Sequence, residues 1–202
     1  MSSEPLSRAE LAGAIAPELL SAEAAEALPV RGRKVAAVLV PIFASHDGVP
    51  SIVITQRSES LRRHAGELSF PGGRRDDADS DLGATALREA DEEIGLAASR
   101  VELLGALPPT PTVATGYAVY PFVGMIDPGQ EWVRSQREVA KIHEFSLADL
   151  RAGFARRRIK RRGIGFTTDT YVVDDQLIWG ATARILGDLF DRLDSAGVRS
   201  LS

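Results

Sequence analysis

The chain has 202 residues, of which 44% are hydrophobic and 26% charged, the balance of one globular domain with a terminal extension and a full apolar core. A formal net charge of −4 points neither to nucleic acid nor to an anionic membrane surface as partner. With no cysteine, disulfides, thiolate zinc sites, iron–sulfur clusters and cysteine nucleophiles are all excluded.

In chain order, residues 7–28 alternate Leu, Ile and Ala with Glu at helical spacing, interrupted at Pro17. They have neither the basic start of a secretory leader nor the Arg-rich composition of a transit peptide. No run approaches the roughly 18 apolar residues that span a bilayer, so the expected location is cytoplasmic. "KVAAVLVPIFA" (34–44) is a near-continuous apolar strand, and "HDGVP" turns it into a second strand, "SIVITQRS" (51–58). "SFPGG" is a strand end and sharp corner, and a helix is predicted over 81–94, with Gly95 as its C-terminal cap. "RVELLGAL" and "GYAVYPFVGMI" read as strands joined by the proline-rich loop "PPTPTVAT", followed by a short strand "VAKIHEFS". "LADLRAGFARRR" (147–158) has helical character, "GFTTDTYVV" is a strand, and a long amphipathic helix is predicted over 177–197. This order implies an α+β fold, a mixed β-sheet sandwiched between helices. Residues 1–32 form a helical extension packed on a domain spanning 33–202.

The stretch "FPGGRRDDADSDLGATALREADEEIGL" (70–96) carries eleven charges. Within it Glu89, Glu92 and Glu93 stand at i, i+3 and i+4, which puts three carboxylates on one helical face. Like charges so placed cost about 0.2–0.5 kcal/mol per pair, a cost whose sign a hard divalent cation reverses, because Mg²⁺ and Mn²⁺ take oxygen ligands. Arg88 lies four residues before Glu92 and can orient the acids. The plainer alternative is a solvated helix face.

The string Gly73, fourteen residues, then Arg88-Glu89-Ala90-Asp91-Glu92-Glu93-Ile94-Gly95-Leu96 resembles the Nudix box: Gly, five residues, Glu, seven residues, then Arg-Glu-apolar-x-Glu-Glu-x-Gly-apolar. The second half matches throughout. The first half has one extra residue and Asp79 where the family has Glu, so the family's first Glu is carried onto no residue here. Upstream, "VITQRSESLRRHAGELSFPGG" (53–73) resembles the motif of the coenzyme A pyrophosphatase branch, with Thr55, Arg57, Ser58, Arg62, Gly66, Phe70, Pro71, Gly72 and Gly73 at matching spacing. That branch is similar also in its longer loop with Asp in place of Glu. "LIWGATARIL" (177–186) is similar to its C-terminal helix, so the resemblance covers about residues 33–190.

The resemblance implies a Nudix fold and hydrolysis of the pyrophosphate bond of coenzyme A or acyl-CoA, releasing 3′,5′-ADP and 4′-phosphopantetheine or its acyl form, with Mg²⁺ or Mn²⁺ as cofactor. It implies Glu89 and Glu93 as metal ligands, Glu92 sharing a second ion, and the Gly73 carbonyl completing the shell. The general base is one of these glutamates or an acid outside the box, and Glu138 in "REVAKIHEFS" is the candidate there. Arg57, Arg62 and Arg63 suit phosphate oxygens, and Gly72, His64 and Tyr117 are further candidate substrate contacts; for His64 the competing role is a structural hydrogen bond. The basic run "RRRIKRR" (156–162) reads as a solvated loop or helix end, a contact for the 3′-phosphate of coenzyme A, or a nucleic-acid patch. The expected partner is a small-molecule substrate, with no nucleic acid and no membrane, and a homodimer is compatible with the sequence. The alternatives are a Nudix hydrolase of another nucleoside diphosphate derivative, such as ADP-ribose or a dinucleotide, a non-catalytic regulatory module that binds nucleotide, and an RNA-binding or decapping role.

Overall fold

The structure is a computed structural model that describes residues 5–58, 66–112, 115–161 and 163–198. Its elements are α1 (Arg8–Ile15), α2 (Ala22–Glu26), β1 (Lys34–Ala44), β2 (Pro50–Arg57), β3 (Leu68–Ser69), β4 (Gly72–Arg74), α3 (Leu82–Ile94), β5 (Glu102–Ala106), β6 (Thr110–Pro111), β7 (Tyr117–Met125), β8 (Val139–Ser146), α4 (Leu147–Ala152), β9 (Phe154–Arg161), β10 (Ile164–Val173), β11 (Gln176–Trp179) and α5 (Gly180–Ser195).

The apolar run of β1 sits in the middle of a mixed sheet. It pairs in parallel with β7 over nine residues and antiparallel with β2 and β4. β2 takes the C-terminal end of β1 (Ile42–Ala44), and β4 takes its N-terminal half (Ala36–Val38). β8 and β3 extend the sheet beyond β2, and β5 and β6 beyond β7.

Both faces of β1 are covered, as its lack of polar alternation requires. Ala37, Leu39 and Phe43 face a cluster with Leu82, Ala86, Ala90 and Ile94 of α3. Val40 and Ile42 face the opposite cluster, which holds Leu11 and Ile15 of α1, Leu147 and Leu150 of α4, and Leu186, Leu189 and Phe190 of α5. This is the α/β/α sandwich expected from the strand and helix order. β9, β10 and β11 form a separate antiparallel sheet, whose Tyr171, Val173 and Ile178 join the α5-side cluster. Among the described residues no helix is long and apolar enough to cross a membrane.

Two expected helices are shorter than their patterns imply. The segment 147–158 is helical only through Ala152; Gly153 packs closely against Val172, and the chain continues as strand β9 opposite β10. "FARRR" offers no apolar stripe for a helix to bury, whereas β10 offers a β-branched partner strand. Leu177–Trp179, placed in the final helix, is strand β11, and the helix starts at Gly180. The cause is a tight turn at Asp174 and Asp175, both at positive φ (48° and 60°), the combination that a two-residue type I′ hairpin needs.

Candidate functional site

Helix α3 supplies the carboxylates. Asp81 caps its start, the side chain accepting from Ala84 N–H at 2.8 Å, and Gly95 ends it in the left-handed conformation at φ 70°. Ala86, Ala90 and Ile94 recur every four residues and turn one stripe into the core. The flank of that stripe carries the glutamates, which are graded in depth. Glu93 is 4% exposed, the Glu89 side chain 15%, and the Glu92 side chain 60%.

β4 lies across the inner two. Gly72 N–H donates to Glu93 Oε2 at 3.3 Å. A Cβ on Gly73 would fall 2.5 Å from Glu89 Cδ and from both carboxylate oxygens, so only glycine lets this carboxylate lie against the backbone. The loop before β8 closes the other side. Ser135 N–H donates to Glu93 O at 2.8 Å, Glu138 N–H to Ser135 O at 3.1 Å, and Ser58 N–H to Glu138 O at 2.8 Å. Glu138 is thus held between the end of β2 and the end of α3, solvent-exposed and close enough for its charge to act on both Glu89 and Glu93.

Burial pushes the Glu93 carboxyl up to about 7, with the Arg57 charge and the Gly72 N–H opposing, and Glu89 and Glu138 adding to the rise. Glu89 is raised as well, first by burial, against the pull of Arg88. Arg88 is the hub of the outer charges. It pairs with Asp79 at 2.8 Å, with Glu89 at 3.0 Å and with Glu92 at 3.2 Å, and its Nη2 also donates to Arg74 O at 3.1 Å. Asp79 holds the Arg88 guanidinium well above its ordinary pKa, and Arg88 in turn holds Asp79 far below the carboxylate range.

The structure therefore brings together Glu89, Glu92, Glu93, Arg88, Glu138, Gly72, Gly73 and Arg57. Arg62, Arg63 and His64 lie outside the described residues. Tyr117 is not part of the group. It packs with the α5-side cluster, on the sheet face opposite α3, with Lys34 Nζ 5.5 Å from its ring centroid. Sequence reasoning left Asp79 as an unassigned acid; its contacts make it the anchor of Arg88, further tied by Asp76 N–H at 2.9 Å and Thr85 Oγ1 at 2.8 Å. Its pairing with Arg88, nine residues later, depends on the loop folding back and left no signal in the sequence. Ser135 carried no signal, because it acts through its backbone.

The donor set fits a hard divalent ion. Among the described residues no three acidic or histidine side chains converge as a ready-made ion cage, and Glu89 pairs with Arg88. Yet one buried and one partly buried carboxyl whose charged forms are disfavoured, with a third acid acting on both, are groups that a cation stabilises. The Arg57 charge pulls on Glu93, and its Nε is buried with no hydrogen-bond partner among the described residues.

The NUDIX domain model matches residues 32–163. The chain is 41% identical over 159 residues to "Uncharacterized Nudix hydrolase NudL" of Citrobacter koseri, covering 78% of this chain and 81% of the relative. It is 42% identical over 156 residues to the protein of the same name from Escherichia coli O7:K1, covering 76% and 80%. Among solved structures, a MutT/nudix family protein from Enterococcus faecalis aligns with a TM-score of 0.53 at 16% identity, covering 83% of this chain and 65% of that one. The Nudix hydrolase RenU from M. smegmatis aligns at 0.51 with 20% identity, covering 66% and 81%. With a carboxylate helix, a glycine corner and a matched domain model all falling on the same residues, the chain belongs to the Nudix family and is a hydrolase.

Proposed function

We propose that this enzyme hydrolyses the pyrophosphate bond of coenzyme A or of an acyl-CoA, giving 3′,5′-ADP and (acyl-)4′-phosphopantetheine. The observation that supports this reading is where the described parts of the motif, 53–58 and 66–73, lie. Arg57 puts its charge on Glu93, Ser58 N–H holds Glu138, Pro71 O accepts from Leu39 N–H at 2.9 Å, and Gly72 N–H holds Glu93. Four residues of the motif, Arg57, Ser58, Pro71 and Gly72, thus stand beside the carboxylates, which supports a role for it in substrate choice.

Nudix hydrolases act with divalent metal ions; here the ion would be Mg²⁺ or Mn²⁺, held by Glu89, Glu93, Glu92 and the Gly73 carbonyl. When bound it polarises phosphoryl oxygens and lowers the pKa of a bound water. The chain's own residues do the rest. Arg88, fixed by Asp79, aims Glu89 and Glu92. Glu93 at the buried end and Glu138 on the solvent-exposed side present acceptors for a water proton, and Arg57 offers donors to the phosphate oxygens. Arg62, Arg63 and His64, from the same motif, would extend that anion contact, and Tyr117 would act only where the substrate reaches past the sheet edge. The enzyme works as a soluble cytoplasmic hydrolase of a small molecule, and residues 1–32 serve as a helical extension of the 33–202 domain.

A metal-dependent assay with coenzyme A, ADP-ribose and a diadenosine polyphosphate, with products identified by mass, tests this. Preferential release of 3′,5′-ADP from coenzyme A supports it, and cleavage of ADP-ribose at an equal or higher kcat/KM overturns it.

A further inference from the structure

The basic run 156–162 has no role in the reading above, yet it occupies a distinctive place. β9 pairs with β10 over its whole length, but β11 pairs with β10 only from Thr170 to Val173. The part of the β9–β10 hairpin beyond Thr170 is therefore a two-stranded arm. Residues 156–169 carry six basic side chains and one acid in a chain of net charge −4. Two-stranded ribbons are marginal in water by themselves, and this arm concentrates like charge as well, a combination that an anionic ligand would relieve.

Strand alternation sorts the charges. Arg156, Arg158 and Lys160 share one face, opposite Asp169, Thr167 and Gly165 in register. Only Arg156 faces an acid. Among the described residues, neither Arg158 nor Lys160 is in an ion pair with a carboxylate. The two line an open depression of about 450 Å³ together with Ile159, Gly163 and Gly165, within the roughly 300–1,000 Å³ range of small-molecule sites. The glycine matters there. A Cβ on Gly165 would lie 3.2 Å from Arg158 Nε and 3.3 Å from its Nη2, so the guanidinium of this exposed side chain lies over bare backbone.

The arm is rooted beside the catalytic wall. β11 ends at Trp179, α5 begins at Gly180, and Thr182 Oγ1 donates to Leu68 O at 3.0 Å, four residues before the Gly72 that holds Glu93.

We propose that the Arg158–Lys160 depression binds a phosphate monoester that the substrate carries away from its diphosphate. It makes the arm a specificity element, with no part in the chemical step. The inference rests on the pyrophosphatase reading of the glutamate site and adds the requirement of a second, terminal phosphate. Forked Arg donors with a neighbouring ammonium suit such a group. A nucleic-acid surface is the less favoured partner, because the arm's aromatic residue, Phe166, lies on the face opposite Arg158 and leans toward Trp179, 6.2 Å between centroids.

The test is equilibrium binding of adenosine 3′,5′-bisphosphate and of adenosine 5′-monophosphate to the full chain and to Arg158→Ala/Lys160→Ala. The wild type is expected to favour the bisphosphate by about tenfold or more, the equivalent of one charge-assisted contact. The variant should lose that preference while binding the monophosphate as before, with an unchanged melting temperature. No preference in the wild type, or a preference that survives in the variant, overturns the proposal. So does a variant that loses binding of a single-stranded oligonucleotide but keeps the bisphosphate. Kinetics with coenzyme A and 3′-dephospho-coenzyme A separate the two readings. A bisphosphate preference without any turnover of either compound refutes the pyrophosphatase assignment and leaves the arm's role standing. Equal turnover of both by the wild type, without a bisphosphate preference, refutes the arm alone.

Discussion

Asp79 and Arg88 grip each other through two parallel hydrogen bonds, Nε to Oδ1 at 2.8 Å and Nη2 to Oδ2 at 3.1 Å, and the Asp79 side chain is only 5% exposed. The same guanidinium reaches Glu89 and Glu92, so the loop after β4 sets the position of the acids through it. Asp79→Asn should cost about 1–3 kcal/mol of stability at neutral pH and lower kcat more than it raises KM. Because the folded pKa of Asp79 is depressed, its contribution is present above the unfolded value of about 4 and is lost as pH falls toward the folded one. The stability gap between wild type and variant should therefore close on acidification. Denaturant titrations at pH 7 and pH 3 check this, and a gap independent of pH would contradict it.

Glu93→Gln keeps the shape of the buried side chain and removes a charge that burial disfavours. The metal-free variant should be at least as stable as the wild type, yet its Mg²⁺- or Mn²⁺-dependent turnover should fall by about a hundredfold or more. Added Mn²⁺ should raise the wild-type melting temperature and leave the variant's unchanged. Near-normal turnover in a folded variant would sink the metal assignment.

The glycine corner offers a contrast between neighbours. The nearest atoms that Gly73→Ala meets are those of the Glu89 carboxylate, the mobile end of a side chain, so the protein should fold with little loss of stability and show at least about tenfold lower kcat, the scale of a misplaced catalytic group. Gly72→Ala meets the Ala37 and Val38 backbone at a φ of 156° and should lower the melting temperature markedly. Thermal melts beside turnover assays distinguish them.

Arg57 is the cation acting on Glu93, and its Nε has no hydrogen-bond partner among the described residues. Arg57→Ala should raise KM about tenfold through loss of a forked phosphate contact. Arg57→Lys, which keeps charge without the fork, should recover only part of it. Steady-state kinetics of the pair provide the measurement, and equal KM values in all three proteins would exclude a phosphate role.

Much of this fold can be traced to local patterns. The unbroken apolar run of β1 marks a strand covered on both faces, and Gly95 stops α3 where a left-handed residue is required. The Arg-rich β9 defeats such reading because an edge strand in a solvated hairpin needs no apolar alternation, and the Asp174–Asp175 turn that makes β11 is easily read as a helix entrance. In the site, helical spacing groups Glu89, Glu92 and Glu93, but it cannot rank them. Glu93 is the deep one only because β4 and the Ser135 loop close over it, and both arrive from other parts of the chain. Asp79 was visible as an acid and invisible as the partner of Arg88, since that pairing depends on how the loop folds back.

The parallel contact of β1 with β7 bears on how the enzyme comes into being. Lys34 pairs with Tyr117, 83 positions later, and α3 lies within that span and packs against both strands. Closing so distant a pair is entropically slow compared with forming a helix. The α3 helix can form early, but its glutamates acquire their depth only when the central strands dock. Metal affinity should therefore emerge late in refolding, and a chain released before β7 is complete would carry the whole acidic motif without a working catalyst.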